Sequence, residues 1–561
     1  MARALGLVAS LAAAMVVALL WPGGTGSAAE PPATPPIRFT DIAPRSRLAY
    51  RSNNSYTGRT YFPQPMCGGV AVLDYDNDGR LDLFFTNGAK LPDLKKTDPS
   101  FYNCLARNRG DGTFEDVTEA AGLTGVGYDF AYGVAAGDYD NDGHTDLFLC
   151  HAGSNALFHN DGNGKFTDVT PRSGLEPKPR DLLSICAAWL DYDEDGLLDL
   201  VVSQYTYWSP SADIVCKTPA NVEYYCSPKN YKAVPHNLYR NEGNGRFRDV
   251  TEASGFARSL GKGMGISIAD YDDDGHVDVF VANDTERNFL YMNKGNGTFD
   301  EKAWPLGVAY NDEGTTVSGM GSDAKDFNND GWVDIFYNNL QTQIFGLFQN
   351  EAGAGFRYLS LTTGVGVLSR RFSGWSPGFI DYDNDGWKDL YSANGDVDDV
   401  GDNTIQNDTM WRNDQGRKFR DVSEQLGEDF LRKGYQRGSA FCDLDSNGFQ
   451  DVVVTSLNMP PRILMSSGGN RNHWLLVRLT GRSSNRDAIG AKVRVTTASG
   501  RVLHNHVSVS AGFMSSSERR VHFGLGSEAT IRSVEVRWPK GKVQSLGPVP
   551  VDRELRLVEP E

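Results

Sequence analysis

Hydrophobic segments come in pairs along the chain, and a short acidic loop joins the two members of each pair. The pattern occurs seven times, and the second segment is rich in β-branched and aromatic residues, as in residues 277–281. Short apolar runs of this composition, bounded by Gly and Asp, are typical of buried strands. No long helical periodicity follows the N-terminal segment. The pattern therefore predicts seven strand–loop–strand units.

The acidic loops share one nine-residue design. Asp or Asn occupies positions 1, 3, 5 and 9, and Gly occupies position 6. Side-chain oxygens at these four positions and the carbonyl at position 7 would surround a hard cation, and Gly allows the sharp turn. Four carboxylates around one point repel each other without a cation. A flexible oxygen cage suits calcium better than magnesium, which requires a tight octahedron.

The predicted ligands bind up to seven calcium ions. In chain order, loops one to seven supply Asp74, Asp76, Asp78 and Asp82; Asp138, Asp140, Asp142 and Asp146; Asp191, Asp193, Asp195 and Asp199; Asp270, Asp272, Asp274 and Asp278; Asp326, Asn328, Asp330 and Asp334; Asp381, Asp383, Asp385 and Asp389; and Asp443, Asp445, Asn447 and Asp451. Loops five and seven each lack one carboxylate, so we expect weaker binding there. The side chains at position 4 of loops three and four, Glu194 and Asp273, are expected to face solvent.

Two other interpretations of the loops explain less. Asp-Gly turns that merely close hairpins would leave three spaced carboxylates in each loop without a role. An EF-hand requires Glu at position 12, where the first two loops have Phe85 and Leu149. Calcium loops between strands remain the prediction.

The loops recur every 53 to 79 residues, which is typical of propeller blades or solenoid coils. A third and fourth strand follow most loops, separated by a Gly turn, as in residues 237–251. The seventh unit lacks its fourth strand, and residues 39–42 match the missing piece. We therefore predict an all-β fold with a seven-bladed β-propeller over residues 38–466. A linear solenoid is the alternative, but it would leave residues 39–42 without a partner.

The two ends of the chain have different character. Residues 472–561 contain several β-rich runs and predict a small C-terminal β-sandwich or barrel with its own core. Residues 1–29 combine a positive start, an apolar run and a small-residue cleavage site, and predict a signal peptide. Residues 30–37 form a Pro-rich spacer. We expect a secreted or periplasmic protein without a stable membrane span after cleavage, with a retained signal anchor as the alternative.

Motifs in both regions carry a family resemblance. The loops resemble the FG-GAP, or VCBS, calcium-loop repeats of integrin-α-type propellers. Residues 472–475, 484–493 and 522–526 resemble the ASPIC/UnbV domain. The combination is similar to the bacterial branch of the cartilage acidic protein (CRTAC) family over nearly the whole mature chain. The resemblance implies a secreted, calcium-loaded interaction protein.

The charge of the chain fits this interpretation. The formal net charge is −17, and 28 of the 72 acidic residues lie in the seven loops. Seven calcium ions would add fourteen positive charges and leave the protein nearly neutral. No basic stripe is present, which argues against a nucleic-acid partner.

Seven cysteines permit disulfides in an exported protein but leave at least one unpaired. Cys216 and Cys226 share a polar insertion and are the best candidate pair. A bond between Cys67 and Cys104 is possible. The remaining three lie in hydrophobic strands and are expected to be buried free thiols: Cys150, Cys186 and Cys442.

The insertion around Cys216 is the candidate ligand surface, because exposed rings stack on sugars or anchor protein partners. Its aromatic residues are Tyr205, Tyr207, Trp208, Tyr224, Tyr225 and Tyr231. The alternative is that these rings pack the insertion onto its blade.

Two functions fit the sequence. The first is a binding module that recognises a glycan or an extracellular protein, with calcium as a structural ion. The second is a polysaccharide-acting lyase or hydrolase with its site in the propeller funnel. We identify no catalytic residues and no cofactor other than calcium, since a metal-bound Asp is a poor general acid or base.

Overall fold

The computed structural model describes residues 36–175, 179, 181–397, 403–469 and 471–561. The predicted signal peptide and most of the predicted spacer lie outside these residues. Residues 36–561 belong to one compact unit. In the described part of the chain, no helix is both long enough and apolar enough to span a bilayer.

Seven four-stranded antiparallel sheets form the larger part of this unit. The first strand of the chain is β1 (Phe39–Asp41). Sheet one contains β2 (Val70–Leu73), β3 (Asp82–Phe85), β4 (Cys104–Asn108) and β5 (Phe114–Asp116); sheet two contains β6 (Ala131–Gly137), β7 (Asp146–His151), β8 (Ala156–Asn160) and β9 (Phe166–Asp168). Sheet three contains β10 (Leu182–Leu190), β11 (Asp199–Tyr207), β14 (Asn237–Asn241) and β15 (Phe247–Asp249), and its insertion forms β12 (Cys216–Lys217) and β13 (Glu223–Tyr224).

The remaining four sheets repeat the arrangement. Sheet four contains β16 (Gly263–Ala269), β17 (Asp278–Asn283), β18 (Phe289–Asn293) and β19 (Phe299–Glu301); sheet five contains β20 (Ser322–Lys325), β21 (Asp334–Tyr337), β22 (Gly346–Asn350) and β23 (Phe356–Tyr358). Sheet six contains β24 (Gly374–Ile380), β25 (Asp389–Asn394), β26 (Thr409–Asn413) and β27 (Phe419–Asp421); sheet seven contains β28 (Gln436–Cys442), β29 (Asp451–Ser456), β30 (Arg462–Ser466) and β1.

The sheets contact one another in a cyclic order. The first strand of each sheet contacts the first strand of the next, and β28 of sheet seven contacts β2 of sheet one. As the sequence predicts, the N-terminal strand completes the seventh sheet, where Phe39 pairs with Ser466 and Asp41 with Leu464. This pairing covers the edge of β30, which would otherwise be exposed.

The first strands lie close enough together to require Gly. A Cβ atom at Gly133 in β6 would lie 2.3 Å from the carbonyl oxygen of Ile185 in β10, and one at Gly265 would lie 2.6 Å from the carbonyl of Met320. Because neighbouring sheets cover both faces, β6 and β16 are buried at every residue. This burial explains their continuous apolar sequences.

Helices are short and lie in the connections. The α-helices are α1 (Thr118–Ala121), α2 (Thr170–Ser173), α3 (Thr251–Ser254), α4 (Ser360–Thr363) and α5 (Val365–Ser369). The 3₁₀ helices are Ala43–Arg45, Gln64–Met66, Pro99–Phe101, Pro210–Ala212, Pro228–Asn230, Phe256–Arg258 and Ser423–Leu426. The first four α-helices each follow the fourth strand of a sheet and end at a Gly with positive φ.

The C-terminal region contains two further sheets, as predicted. The three-stranded sheet has the order β34 (Val521–Gly526), β31 (His473–Thr480), β37 (Arg553–Val558), and the four-stranded sheet has the order β33 (Val502–His506), β32 (Lys492–Thr497), β35 (Ile531–Arg537), β36 (Val543–Leu546). Val477, Val493 and Val534 are buried in a common core. A sandwich-like pair of sheets is therefore present.

The prediction of a separate C-terminal core is wrong. Residues 512–518, here called the central segment, connect β33 to β34 and reach the first strands of the seven-sheet region. Phe513 and Met514 belong to one continuous hydrophobic core with Tyr132 of β6, Ile185 of β10 and Val493 of β32. The two regions share this core because the central segment lies between the sheets.

Hydrogen bonds hold the central segment to the first strands of six of the seven sheets. Its contacts are Ser516 with Val70 and Val72, Met514 with Val134 and Cys186, Gly512 with Ser322, Phe513 with Ser376, and Ser517 and Glu518 with Phe441. Ser322 and Gly512 bond in both directions, at 3.1 and 2.9 Å. The central segment therefore lies against the first strands of six sheets.

Candidate metal centres and recognition surface

Each acidic loop joins the first and second strands of its sheet, and the Asp at position 9 begins the second strand. All seven position 9 side chains are fully buried. In loop three, one oxygen of Asp199 accepts from the amide of Asn241 at 2.7 Å and the other accepts from the amide of Tyr192 at 3.1 Å. The same pair of bonds recurs in every loop. Position 9 thus fastens the loop to the third strand.

The Asp at position 1 holds the turn. In loop three, Asp191 accepts from the amide of Gly196 at 3.1 Å through Oδ2, and its Oδ1 is buried without a hydrogen-bond partner. Asp193 Oδ1 is likewise buried and unpartnered. Only 4% of Asp191 is exposed. Buried carboxylate oxygens without donors are costly, and a cation would satisfy them.

Carboxylates converge in several loops as a cation site requires. Single ligand atoms of Asp191, Asp193 and Asp199 lie within 4.8 Å of one another, and so do those of Asp270, Asp272 and Asp278. Burial first, and then the charges of the neighbouring carboxylates Asp195 and Asp193, raise the pKa of Asp191 to about 7. The oxygen-only ligand set fits calcium.

The third strand supplies a basic side chain that the sequence reasoning missed. Arg240 lies beside loop three, with Nε 2.5 Å from Asp193 Oδ2 and a terminal nitrogen 2.9 Å from Asp195 Oδ2. Arg107 and Arg412 make equivalent contacts in loops one and six. Each of these Arg residues immediately precedes an Asn that recurs at the end of the third strand, so an alignment of the repeats on that Asn would have found them.

That recurrent Asn connects neighbouring sheets. Asn241 donates to the carbonyl of Tyr139, at position 2 of the preceding loop, at 2.8 Å and to the carbonyl of Leu198 at 3.0 Å. The side chains of Asn160, Asn293, Asn350 and Asn413 make the corresponding bonds to the loop before their own. Five pairs of neighbouring sheets are therefore joined through their loops.

At position 4 of loops three and four, Asp273 is exposed, as predicted, whereas Glu194 is half-buried, and both side chains have partners. Glu194 contacts the His276 ring of loop four. Asp273 contacts Lys492 and lies 3.3 Å from Arg537, both in the C-terminal region. Sequence reasoning missed these partners because each lies far away along the chain.

The C-terminal region covers the loop end of the sheets with basic side chains. Lys492 Nζ lies 2.8 Å from Asp270 Oδ2, and Arg486 Nε lies 3.6 Å from Asp138 Oδ2. Arg501 donates to the carbonyl of Asp385 at 2.8 Å. An incoming ligand therefore meets the C-terminal region, and not only the loops, at this end of the sheets.

The insertion of sheet three carries the predicted disulfide between Cys216 and Cys226. Two of the six predicted ligand residues, Tyr205 and Trp208, are each only 2% exposed, so they are unavailable to a ligand. Phe62 packs against Tyr205 and Tyr231, with ring centroids 5.6 and 4.0 Å away. Packing of the insertion onto the rest of the protein, and not ligand binding, therefore explains Tyr205, Trp208 and Tyr231.

The other aromatic residues of the insertion differ in exposure. Tyr207 is 46% exposed, whereas Tyr224 and Tyr225 are half-buried. Tyr225 contacts Gln64 at 3.3 Å, and the carbonyl of Tyr224 accepts from Thr60 at 3.3 Å. The insertion is therefore folded onto residues 59–64, with Tyr207 as its most exposed ring.

The remaining five cysteines are free and buried. The possible bond between Cys67 and Cys104 is not formed, and the two thiols belong to different hydrophobic clusters. Cys150, Cys186 and Cys442 are buried free thiols, as predicted. Burial raises the pKa of the Cys186 thiol.

A large groove lies at the opposite end of sheet one. Its volume is about 860 Å³, and its lining includes Arg51, Asn53, Tyr102, Glu115 and Glu119. Arg51 and Asn53 precede β2, Tyr102 precedes β4, Glu115 lies within β5, and Glu119 follows in α1. Concave sites of this size, with an aromatic ring and several polar groups, are typical of small-ligand binding.

The likenesses to solved structures are weak, as two of them illustrate. One is an Agrocybe aegerita lectin described as recognising non-reducing terminal N-acetylglucosamine, with 15% identity, a TM-score of 0.39, and coverage of 63% of this chain and 78% of the lectin. The other is an exotype rhamnogalacturonan lyase, with 12% identity, a TM-score of 0.38, and coverage of 76% and 75%. At TM-scores below 0.5, neither likeness bears on function.

Sequence comparisons are more informative. Human cartilage acidic protein 1 is 25% identical over 514 residues, covering 86% of this chain and 70% of the relative. The Xenopus tropicalis and mouse proteins of the same name are 26% identical, each over 86% of this chain and 71% and 72% of the relative. The ASPIC and UnbV model matches residues 481–561. The FG-GAP-like repeat model matches residues 74–149, 138–202, 230–281, 270–337, 326–392 and 381–454. These matches cover more than half of the chain. The chain therefore belongs to the FG-GAP repeat family and is related to cartilage acidic protein 1.

Proposed function

We propose that this chain is an exported, calcium-binding interaction protein that recognises a glycan or an extracellular protein. The observation that carries the proposal is the loop geometry, in which buried carboxylates converge and Asp191 Oδ1 lacks a donor. When bound, calcium would satisfy these oxygens and remove the repulsion between the carboxylates. Its role in this proposal is structural.

We further infer that the seven sheets are the blades of one closed propeller. The cyclic contacts of the first strands and the pairing of β1 with β30 support this architecture. A linear solenoid would place sheets one and seven at opposite ends, where β28 could not contact β2. In a closed ring, every blade packs against two neighbours.

Recognition is assigned to the groove side of the sheets. The C-terminal region covers the loop side, and the groove beside Tyr102 offers amides, carboxylates and a half-buried ring to a polar ligand. The disulfide between Cys216 and Cys226 supports export to an oxidising compartment, either secreted or periplasmic.

An enzyme working in a central funnel is not favoured. The central segment hydrogen-bonds to the first strands of six sheets, so a polysaccharide has no open channel there. The converging carboxylates are assigned to cations, and bound carboxylates are poor proton-transfer groups. A binding role requires neither an open funnel nor a free acid–base pair.

Calcium binding is tested by metal analysis and thermal unfolding of the full exported chain. We expect several bound calcium ions per chain and a large fall in melting temperature with excess chelator, because ions that bind only the folded state stabilise it. Asp191→Asn should reduce the calcium count by one. Asp111→Asn is the matched control, because Asp111 is an exposed turn residue outside the loops. Metal-free protein with an unchanged melting temperature would refute calcium as a structural ion.

Recognition is tested by screening immobilised glycans and exported proteins in the presence of calcium. For any ligand found, Tyr102→Ala should weaken binding at least about tenfold, as expected for loss of a stacking ring. Tyr56→Ala is the control, since Tyr56 is 54% exposed and does not line the groove. Equal binding by both variants would remove the groove from the proposal.

A further inference from the structure

The seven loops differ in the side chain that stands beside them on the third strand. This side chain is the fourth of five residues in each third strand: Arg107, His159, Arg240, Met292, Gln349, Arg412 and Met465. In loops one, three and six the residue is Arg, and its guanidinium spans the carboxylates at positions 3 and 5. In loop six, for example, Arg412 lies 2.9 Å from both Asp383 and Asp385.

The presence of a paired basic side chain correlates with the number of carboxylates in a loop. The five loops with four carboxylates each have a basic side chain within 4 Å of those carboxylates, including His159 at loop two and Lys492 at loop four. Loops five and seven have three carboxylates, and their third-strand residues are Gln349 and Met465. Among the described residues, no basic side chain forms an ion pair with the carboxylates of loops five and seven. At these two loops the neighbouring basic side chains, Lys388 and Arg520, donate to the backbone carbonyls of Asp326 and Asp443 and not to a carboxylate of the loop.

The guanidinium does not take the place of a cation. In loop three, Arg240 binds the Oδ2 atoms of Asp193 and Asp195. Asp193 Oδ1 and Asp191 Oδ1 remain buried without hydrogen-bond partners. Asp191 is 4% exposed, so its free oxygen is directed into the protein and not into bulk water. The ion pairs therefore use the outer oxygens and leave inner oxygens for a metal ion.

We propose that the third-strand side chain sets the calcium affinity of its loop, with Arg107, Arg240 and Arg412 acting as fixed counter-charges. The proposal rests on the calcium-binding function proposed above. Each guanidinium offsets the repulsion between carboxylates when no ion is bound and repels calcium when the ion arrives. Arg therefore stabilises the empty loop and weakens calcium binding. Loops five and seven lack one carboxylate but also lack an Arg at this position, so the weaker calcium binding expected from Asn328 and Asn447 is partly offset.

Arg240→Met tests this rule by giving loop three the residue that sheet four carries at the same place. Calcium affinity at one site should rise about tenfold, the factor given by Coulomb's law for a divalent and a monovalent charge about 6 Å apart in a water-like dielectric. The melting temperature in excess chelator should fall, and that in excess calcium should change less. Calorimetric titration with calcium and thermal unfolding over a series of free calcium concentrations measure both quantities.

Met465→Arg is the reciprocal variant, because it adds a counter-charge to a loop that already has one carboxylate fewer. One calcium ion should bind about tenfold more weakly, by the same Coulomb argument. Arg248→Met is the charge-matched control. Arg248 pairs with the exposed Glu242, away from the loop carboxylates, so its removal should leave calcium affinity unchanged.

The outcomes separate this inference from the function on which it rests. If the unaltered protein binds no calcium, the proposed function fails and the rule fails with it. If it binds calcium but Arg240→Met leaves the affinity unchanged or lowers it, only the rule fails, and Arg240 then acts by positioning Asp193 and Asp195. A matching gain of affinity in Arg248→Met would show that overall charge alone, and not the third-strand position, sets calcium affinity.

Discussion

The ring of Phe513 packs against the ring of Trp375 with centroids 5.2 Å apart and planes inclined by 58°. Phe513 belongs to the central segment and Trp375 to the first strand of sheet six. The guanidinium of Arg437 also lies 3.9 Å from the centroid of the Trp375 ring. A side chain from the C-terminal region thus completes a buried cluster of the seven-sheet region, and the two regions should unfold together.

Phe513→Ala tests that coupling. Removing a fully buried Phe should lower the free energy of unfolding by about 3–5 kcal/mol, because a cavity forms between the central segment and sheet six. The protein should still unfold in one transition, which denaturant unfolding followed by fluorescence and circular dichroism measures. Val558→Ala, at a position 46% exposed, should change the free energy of unfolding by less than about 1 kcal/mol. Two separate transitions in the unaltered protein would contradict a shared core.

Asn241→Ala addresses the contact between sheets two and three. The substitution leaves the carbonyls of Tyr139 and Leu198 without the amide donor that both use. Unfolding free energy should fall by about 1–3 kcal/mol, the usual cost of leaving buried polar groups unsatisfied. Urea unfolding in excess calcium measures the change. Glu252→Ala provides an exposed comparison with little expected effect, and an equal loss in both variants would argue against the bridging role of Asn241.

The local pattern was sufficient to predict the repeated sheets. Asp at fixed spacing and β-rich flanks specify a loop between two strands through neighbouring residues alone, so Asp191 and Asp199 could be placed before any tertiary structure was known. The pairing of β1 with β30 was also predictable, because the seventh repeat visibly lacked one strand. The repeats therefore allowed one long-range strand pairing, that of β1 with β30, to be predicted from the sequence.

The central segment could not be predicted in this way. Residues 512–518 are small or polar apart from Phe513 and Met514 and show no strand periodicity. Their partners lie in six sheets spread along the chain, and such contacts leave no local signal. The same reason explains why Lys492 beside Asp270, and the burial of Tyr205, were missed.

The disulfide of the insertion should act locally. The buried side chains of Tyr205, Trp208 and Phe62 anchor the insertion, whereas the segment between Cys216 and Cys226 is largely exposed. Replacing both cysteines by Ser should destabilise the closed segment by about 2–3 kcal/mol, the loop-closure entropy of a bridge of this length. Cleavage of the insertion by a nonspecific protease should become at least about tenfold faster, with little change in the melting temperature of the whole protein. A large fall in that melting temperature would instead make the bridge part of the global fold.

His236 should make stability depend on pH between about 6.5 and 4. The side chain is fully buried, and Nδ1 accepts from the amide of Gln204 at 3.2 Å, which fixes the neutral ring. Burial lowers the pKa of His236 to about 4, whereas an unfolded His titrates near 6.5. Between pH 6.5 and 4 the unfolded chain binds this proton more readily than the folded chain does. The stability that the neutral His236 contributes to the fold is therefore complete above pH 6.5 and is lost as the pH falls through 4.

His236→Asn removes this titration and keeps an acceptor near the amide of Gln204. Between pH 7 and pH 4 the unaltered protein should lose about 3 kcal/mol more unfolding free energy than the variant, from the pKa difference. Urea unfolding of both proteins at several pH values, at one fixed excess of calcium, isolates His236 because the loop carboxylates titrate equally in both. Parallel pH profiles would show that protonation of His236 does not contribute to acid unfolding.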